Sequence, residues 1–310
     1  MPGDLEPVVD LATPGLLPAG TRLRADASFE WVADTLISGG SPWRLVRLSD
    51  EGSRLVSGWL SGEPVGTDRA AGALARRLVD GGLVHPDRST RRPARGEVDA
   101  VVPVRDDAVG LDAVLRVLSR TPSLRVVVVD DGSIDAGSVA RVAHAHDATL
   151  VRREAPGGPG AARNLGLAAG DAPFVAFLDA DVVPEHDWLE GLLPYFDDPA
   201  VGAVAPRVRG PLGESVRERF EVAASPLDMG PAPGVVRPGS AVPFVPSAAL
   251  VVRRASIESG FDESLPVGED VDLVWRLAAR GWQVRYEPSV VVTHAARATW
   301  RAWLAQRFAY

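Results

Sequence analysis

Short, uninterrupted apolar runs alternate along most of this chain with stretches where apolar residues recur every three or four positions. Val98–Val104, Val126–Val129, Thr149–Arg152, Phe174–Leu178, Val201–Ala205 and Ala248–Arg254 have the length and β-branched content of buried strands. Leu111, Val114, Leu115 and Leu118, and then Val139, Val142 and Ala143, fall at helical period between them. Strands alternating with helices predict an α/β fold: a doubly wound, mostly parallel sheet. In such sheets ligands bind beyond the carboxyl ends of the strands. The run Phe174–Leu178 ends in Asp179-Ala180-Asp181 and is stopped by Pro184, so it carries two acids to that edge. An Asp-x-Asp there suits a divalent metal carrying phosphate oxygens, and it equally suits a solvated strand end.

The first hundred residues follow another pattern. Residues 1–20 predict loop with one strand, and Leu45–Leu48 predicts a short strand. Ser49 offers a cap to a helix carrying Leu55, Val56, Trp59 and Leu60 on one side. Thr67-Asp68 caps a second helix with Leu74, Leu78 and Val79. Gly81-Gly82 ends it, and Leu83–Pro86 begins a strand. This predicts a small winged-helix-like module over residues 1–95, then a Pro- and Arg-rich linker over 87–97, then an α/β domain over 96–310. The module resembles the PqqD-like recognition elements of ribosomal-peptide maturation. That implies a precursor or leader peptide bound by addition to a sheet edge. A cap that only stabilises its neighbour is the alternative.

Composition narrows the chemistry. The 310 residues include no Cys, and every one of the 33 basic residues is Arg. Disulfides, thiolate nucleophiles, a phosphate-loop lysine and Schiff-base chemistry are all excluded. The net charge of −8 speaks against nucleic acid as a partner. All of it falls beyond residue 95, because residues 1–95 hold equal numbers of acids and arginines. No apolar stretch is long enough to span a bilayer and the N-terminus has no signal-peptide pattern, so the cytoplasm is the expected compartment. Trp300, Trp303, Leu304 and Phe308 share one helical face, with Arg297, Arg301 and Arg307 nearby. Packing is one reading of that face. Peripheral contact with the inner membrane face is the other.

Three further stretches carry candidate chemistry. Gly157–Gly166 places a glycine-rich turn at a helix start, able to approach a phosphate through backbone N–H groups or to serve only as a turn. Residues 226–243, rich in Pro and Gly, predict a mobile loop over the site, after a helix near 214–224. Glu269, Asp270 and Asp272 crowd the start of a helix, beyond what capping requires.

The ordered set Val-Pro-Val, Asp-Asp-Gly-Ser, Ala-Arg-Asn-x-Gly, Leu-Asp-Ala-Asp, Gly-Phe-Asp-Glu and Glu-Asp-Val-Asp-Leu-x-x-Arg, over about residues 97–300, resembles glycosyltransferase family 2 enzymes of the GT-A fold. With the N-terminal module it is most similar to the branch that glycosylates a peptide-derived redox-cofactor precursor, whose members run on past Tyr310. The resemblance implies a UDP-sugar donor and a divalent metal, Mn²⁺ or Mg²⁺. Asp181 would hold the metal and Asp179 would reach it or the ribose through water. His294 would complete the shell, which favours Mn²⁺. Asp131 would meet the uracil or its ribose with Asp130 in support, beside Gly132. Arg163 would lie near the base, and Pro103, Val104 and Ala180 would line the pocket. Asp270 would be the general base of a single inverting displacement. Glu269 would raise its pKa by like-charge repulsion or orient the acceptor. For that branch the implied reaction is β-1,4 transfer of glucose from UDP-glucose. Neither the sugar nor the acceptor is visible in spacing or composition. Two rivals remain: a haloacid-dehalogenase-like phosphatase with Asp179 as nucleophile, and a non-catalytic scaffold binding nucleotide and peptide.

Overall fold

The computed structural model describes residues 15–87, 94, 96–121, 123–211, 219–220 and 223–295. Most of the predicted linker, the helix expected near 214–224 and the aromatic C-terminal stretch lie wholly or mainly outside the described residues.

The N-terminal part comprises β1 (Arg22–Ala25), β2 (Glu30–Ala33), β3 (Leu36–Gly39), β4 (Arg44–Arg47), α1 (Asp50–Leu60), α2 (Arg69–Asp80) and β5 (Val84–Asp87). Strands β2, β3 and β4 form one antiparallel sheet and β1 pairs with β5 in another. Both helices start where the sequence predicts. Ser49 Oγ accepts from Gly52 N and Asp68 Oδ2 accepts from Ala71 N, each at 3.1 Å. Strands β1 to β3 were not expected. Most of β1 and all of β2 are solvent-exposed, so neither shows a buried apolar run. Leu17, Ile37, Val56, Trp59, Leu78 and Leu83 belong to a separate core here.

The rest is one nine-stranded sheet. Its strands are β6 (Val98–Val104), β7 (Arg125–Asp131), β8 (Thr149–Arg153), β9 (Phe174–Leu178), β10 (Val182–Pro184), β11 (Val201–Arg209), β12 (Gly234–Val235), β13 (Ala249–Arg253) and β14 (Gln283–His294). The order is β10-β14-β11-β13-β9-β6-β7-β8, with β12 added beside β14. Strands β6 to β9 run parallel, β13 runs against both its neighbours, and β11 and β14 are parallel. The helices that pack on it include α3 (Ala108–Leu118), α4 (Ala136–Ala145), α5 (Gly158–Ala168), α6 (Trp188–Leu192) and α7 (Glu269–Ala279). Side chains alternate across the sheet, so Val98, Ala100, Val102 and Val104 join one core while Val101 joins the other. The two cores coat opposite faces. That is why the strands read as continuous apolar runs rather than alternating ones.

The two parts meet over a buried polar seam. Arg76 is 4% exposed and donates from Nη2 to both oxygens of Asp198 at 2.7 Å. Gln283 bonds Asp80. His85 Nε2 meets Asp26 Oδ2 at 2.7 Å, and His85 Nδ1 meets Arg285 Nη2 at 3.3 Å. Arg285 can only donate, so Nδ1 accepts and the ring is neutral, with its proton on Nε2. Burial pushes the His85 imidazole down to about 4, and the Arg285 charge acts in the same direction.

The segment 226–243 departs from expectation. It is fastened rather than draped over the cleft: Tyr286 Oη donates to Gly230 O at 2.7 Å, Arg207 holds Asp228 at 2.8 Å, and β12 pairs with β14. Composition alone hid these side-chain anchors.

Candidate active site

The carboxyl ends of β6, β7 and β9 and the start of α5 surround a cleft of about 280 Å³. The chain leaves β6 for β7 and β8 on one side and returns through α5 to β9 on the other, so the cleft sits where the strand order reverses. Pro103, Val104, Asp131, Arg163, Asp179, Ala180 and Asp181 all line it. Gly158, Pro159 and Ala162 of the glycine-rich stretch line it too, and so do Arg105 and Asp107, which the sequence does not single out. Arg105 and Asp107 fall within three residues of the end of the Val-Pro-Val strand, which was the available signal for them.

The Asp-Asp-Gly-Ser turn is built from inside. Asp130 is fully buried; its Oδ1 accepts from Ser133 N at 2.8 Å and its Oδ2 takes Arg152. Its carboxylate is committed to the turn that carries Asp131, and it does not itself line the cleft. Asp131 lines the cleft, while its Oδ1 and Oδ2 accept from Gly157 N and Gly158 N, both at 2.8 Å, and Arg153 Nε stands 3.0 Å from Oδ1. Two N–H groups of the glycine-rich turn are thus capped by Asp131. These two N–H groups are taken up within the protein, which favours the second of the two readings of that stretch, a turn. Gly132 has φ +73°, and a Cβ there would stand 2.9 Å from Pro156 N, so the turn requires glycine.

Arg163 is 3% exposed and joins two segments. It donates to Asp179 Oδ1 at 2.6 Å and to Glu269 Oε1 at 2.8 Å, and it lies 5.4 Å from the Phe261 ring centroid. It therefore reaches across the cleft wall and ties together acids from two segments while still lining the cleft. Burial raises the Asp179 carboxyl above its ordinary range, opposed by Arg163 and reinforced by neighbouring Asp181. Asn164 supports the same wall. Its Nδ2 donates to Phe261 O at 2.9 Å and its Oδ1 accepts from Phe261 N at 2.8 Å, locking the Gly-Phe-Asp-Glu loop. Gly166 lets α5 approach the sheet, since a Cβ would come within 2.2 Å of Val101 Cγ1. Arg163, Asn164 and Gly166 of the motif Ala-Arg-Asn-x-Gly thus each have a distinct structural task.

His294 Nε2 lies 3.4 Å from Asp181 Oδ2, and Ala295 N donates to Asp181 O at 2.8 Å. The far end of β14 thus brings the imidazole to the acid pair. Among the described residues no group of three or more metal-ligating side chains forms. Asp181 and His294 together offer an oxygen and a nitrogen donor, a set that fits a cation whose other ligands are phosphate oxygens and water. Asp270 does not line the cleft. Its Oδ2 accepts from Ser247 N at 3.3 Å, one residue from Glu269 at the start of α7. Glu269 is spent on Arg163, and Asp272 is spent on Arg276 at 2.7 Å.

A mostly parallel sheet with an acid pair at a strand end, at the point where strand order reverses, defines a protein of the GT-A fold. Solved structures show the same fold. One is a mannosyltransferase from Pyrobaculum calidifontis in complex with GDP-Man and Mn²⁺, with a TM-score of 0.55, 24% identity, and coverage of 71% of this chain and 63% of that one. Another is Staphylococcus aureus TarS 1–349 in complex with UDP-GlcNAc, with a TM-score of 0.53, 19% identity, and coverage of 66% and 59%. Residues 99–261 match the model of glycosyl transferase family 2, and the chain belongs to that family. It is 41% identical over 299 residues to the pre-mycofactocin glycosyltransferase of Mycobacterium tuberculosis, covering 95% of this chain and 62% of that protein. The chain thus spans less than two thirds of that relative's length. The poly-beta-1,6-N-acetyl-D-glucosamine synthase of Staphylococcus aureus is 25% identical over 169 residues, which cover 53% of this chain and 40% of the synthase. This family membership replaces the phosphatase alternative. Among the described residues no helix is long and apolar enough to cross a membrane.

Proposed function

We propose that the chain carries the catalytic part of a metal-dependent, inverting glycosyltransferase. It would move a hexose, glucose in β linkage, from a UDP-sugar to a hydroxyl of the peptide-derived mycofactocin precursor. The observation behind this reading is the meeting of Pro103, Asp131, Arg163, Asp179 and Asp181 around one cleft, with Arg163 tying it to Glu269 beside Asp270. The domain division near residue 95 and the winged-helix likeness of the first part belong to the same proposal.

Asp181 and His294 would hold Mn²⁺ or Mg²⁺, which when bound offsets the charge of the departing diphosphate. Pro103, Val104 and Ala180 bound the donor pocket. Each carboxylate oxygen has two lone pairs, so Asp131 keeps acceptor capacity on Oδ2 for the uracil or ribose while capping α5. Arg163 fixes Asp179 and Glu269 relative to each other, and Glu269 orients the acceptor side through that link. The acceptor oxygen attacks the anomeric carbon, its proton passes to Asp270, and the bond to the phosphate oxygen breaks with release of UDP. No enzyme nucleophile is needed, in keeping with a chain that has neither Cys nor Lys.

A thermal-shift panel of sugar nucleotides with and without Mn²⁺ tests this. A UDP-sugar at a hundredfold excess over its Kd should add about 2.7 kcal/mol of stability. A flat panel, with no nucleotide sugar shifting the transition, removes the proposal. Donor binding without any hydrolysis or transfer would favour the scaffold reading.

A further inference from the structure

Asp106 does not line the cleft, but it sits between two residues of its loop that do, Arg105 and Asp107. Its backbone is left-handed, with φ +57°, a conformation that costs a non-glycine residue energy and that Asp and Asn tolerate best. Two hydrogen bonds hold it there, and both lead to the turn that carries Asp131. Asp106 N donates to Ser133 Oγ at 2.9 Å, and Asp106 Oδ1 accepts from Ile134 N at 2.7 Å. Ser133 is 3% exposed and is fixed in turn. Its N–H meets Asp130, and its carbonyl accepts from Arg152 Nη2 at 3.3 Å. The last residue of Asp-Asp-Gly-Ser thus anchors a neighbouring loop.

The same loop is held on its other side against the metal end. Asp107 caps α3, its Oδ1 accepting from Gly110 N at 2.9 Å. A Cβ on Gly110 would stand 2.6 Å from Ala180 O. The first turn of α3 therefore lies directly on the carbonyl between Asp179 and Asp181, and only glycine permits that approach. The contacts Ser133–Asp106, Asp107–Gly110 and Gly110–Ala180 join the Asp131 turn to the acid pair through backbone atoms and short side chains.

We infer that Asp106 is a positioning residue, the middle of a brace that sets the distance between the nucleoside end of the cleft at Asp131 and the metal end at Asp179 and Asp181. This rests on the transferase reading, in which one donor engages both ends at once. A ligand gripped at two points gains from the second only as far as their spacing matches its own. A slackened brace therefore weakens the whole donor and leaves each end binding its own part as before. A residue that served the fold alone would lack this signature, because general loosening weakens every ligand of the cleft alike.

The test uses the full chain and three probes: UDP-glucose with Mn²⁺ and UMP without metal, both by calorimetry, and Mn²⁺ alone by electron paramagnetic resonance. Asp106→Gly adopts the left-handed turn without strain and removes the acceptor for Ile134 N. It should weaken UDP-glucose by about tenfold. UMP and Mn²⁺ alone should stay within about twofold of wild type. Asp106→Asn keeps both the acceptor and the conformation, and should restore donor affinity to within about threefold. Gly110→Ala probes the brace from its other end: a helix favours alanine, but the added methyl pushes on Ala180 O. UDP-glucose should again weaken by about tenfold, with UMP unaffected. Wild-type donor affinity in either Asp106→Gly or Gly110→Ala overturns the brace. So does a loss of UMP and Mn²⁺ binding as large as the loss of UDP-glucose. A wild type that binds neither nucleotide removes the transferase reading and this inference with it, whereas donor binding that ignores both substitutions removes this inference alone.

Discussion

Replacing Arg163 with Met keeps most of the side-chain stem and removes the charge. Two acids lose their partner, at 2.6 Å for Asp179 and 2.8 Å for Glu269, and the cation over Phe261 disappears. Glu269 is 7% exposed, so its carboxylate is left charged in a nearly dry site or must take up a proton. Breaking a buried pair from one side costs about 3–5 kcal/mol. The Asp179 side chain is 32% exposed at the cleft, more open than that of Glu269, and adds less, so the lower part of that range is expected. Glu269→Gln in the Arg163→Met background should then cost little, because the orphaned charge is already the main penalty. The interaction energy of the cycle should be about 1–3 kcal/mol. Urea unfolding of the four proteins measures it, with the slopes compared to confirm that the denatured states match. A loss below about 1 kcal/mol for Arg163→Met, or single losses that simply add within about 0.5 kcal/mol, would refute the idea that Arg163 ties β9 to α7. Donor binding gives a second readout, since an unlatched Asp179 should weaken the UDP-sugar shift even where the fold survives.

Asp181→Ala should abolish the Mn²⁺-dependent part of UDP-sugar binding, and calorimetry showing unchanged affinity would take Asp181 out of the metal site. Asp270→Asn should keep donor binding and lose transfer; near-normal turnover would point to another base. His85 is neutral when folded and titrates at its ordinary value of about 6.5 when unfolded. The unfolded chain therefore holds the extra proton between about 6.5 and about 4. Stability from this group is complete above that window and falls by about 1.4 kcal/mol per pH unit as the solution is acidified through it. Urea midpoints for the wild type and His85→Phe should converge toward acid, and a constant gap would contradict the assignment. Gly260 has φ +63°, and a Cβ there would lie 2.3 Å from Asn164 Oδ1. Gly260→Ala should cost about 1–3 kcal/mol in thermal unfolding, and an unmoved Tm would mean the loop has slack.

The sheet was legible because buried parallel strands write themselves as apolar runs, and Val126–Val129 and Phe174–Leu178 are among the plainest. The acids at their ends were legible for the same reason, since a strand's last residues face the ligand edge. What was hidden depends on pairing across long sequence distances. Strand β2 is exposed throughout and is a strand only because β3 lies beside it. The fastening of 226–243 needs Arg207 and Tyr286 from strands far along the chain. Arg163 was noticed, but its direction was not. Its target Glu269 stands 106 residues away, and nothing local records that contact. Asn164 belongs to the same motif, and the loop it locks lies nearly a hundred residues further along the chain, at Phe261.

Strand β14 carries out two tasks that must stay in phase. Near its beginning Arg285 meets His85, and at its last residue His294 meets Asp181. Between them the ladder with β11 skips: Glu287 sits opposite Pro206 and Val291 opposite Arg207, so residues 288–290 bulge out with no counterpart. Glu287 steadies that bulge by accepting from Ser289 N and Oγ at 2.9 and 2.6 Å. Adding or deleting a single residue in 288–290 would invert the facing of everything downstream and turn the imidazole to the opposite side of the sheet, with the seam to the first module untouched. The length of this bulge works as a phase setting: it decides whether one ribbon of backbone can serve both ends at once.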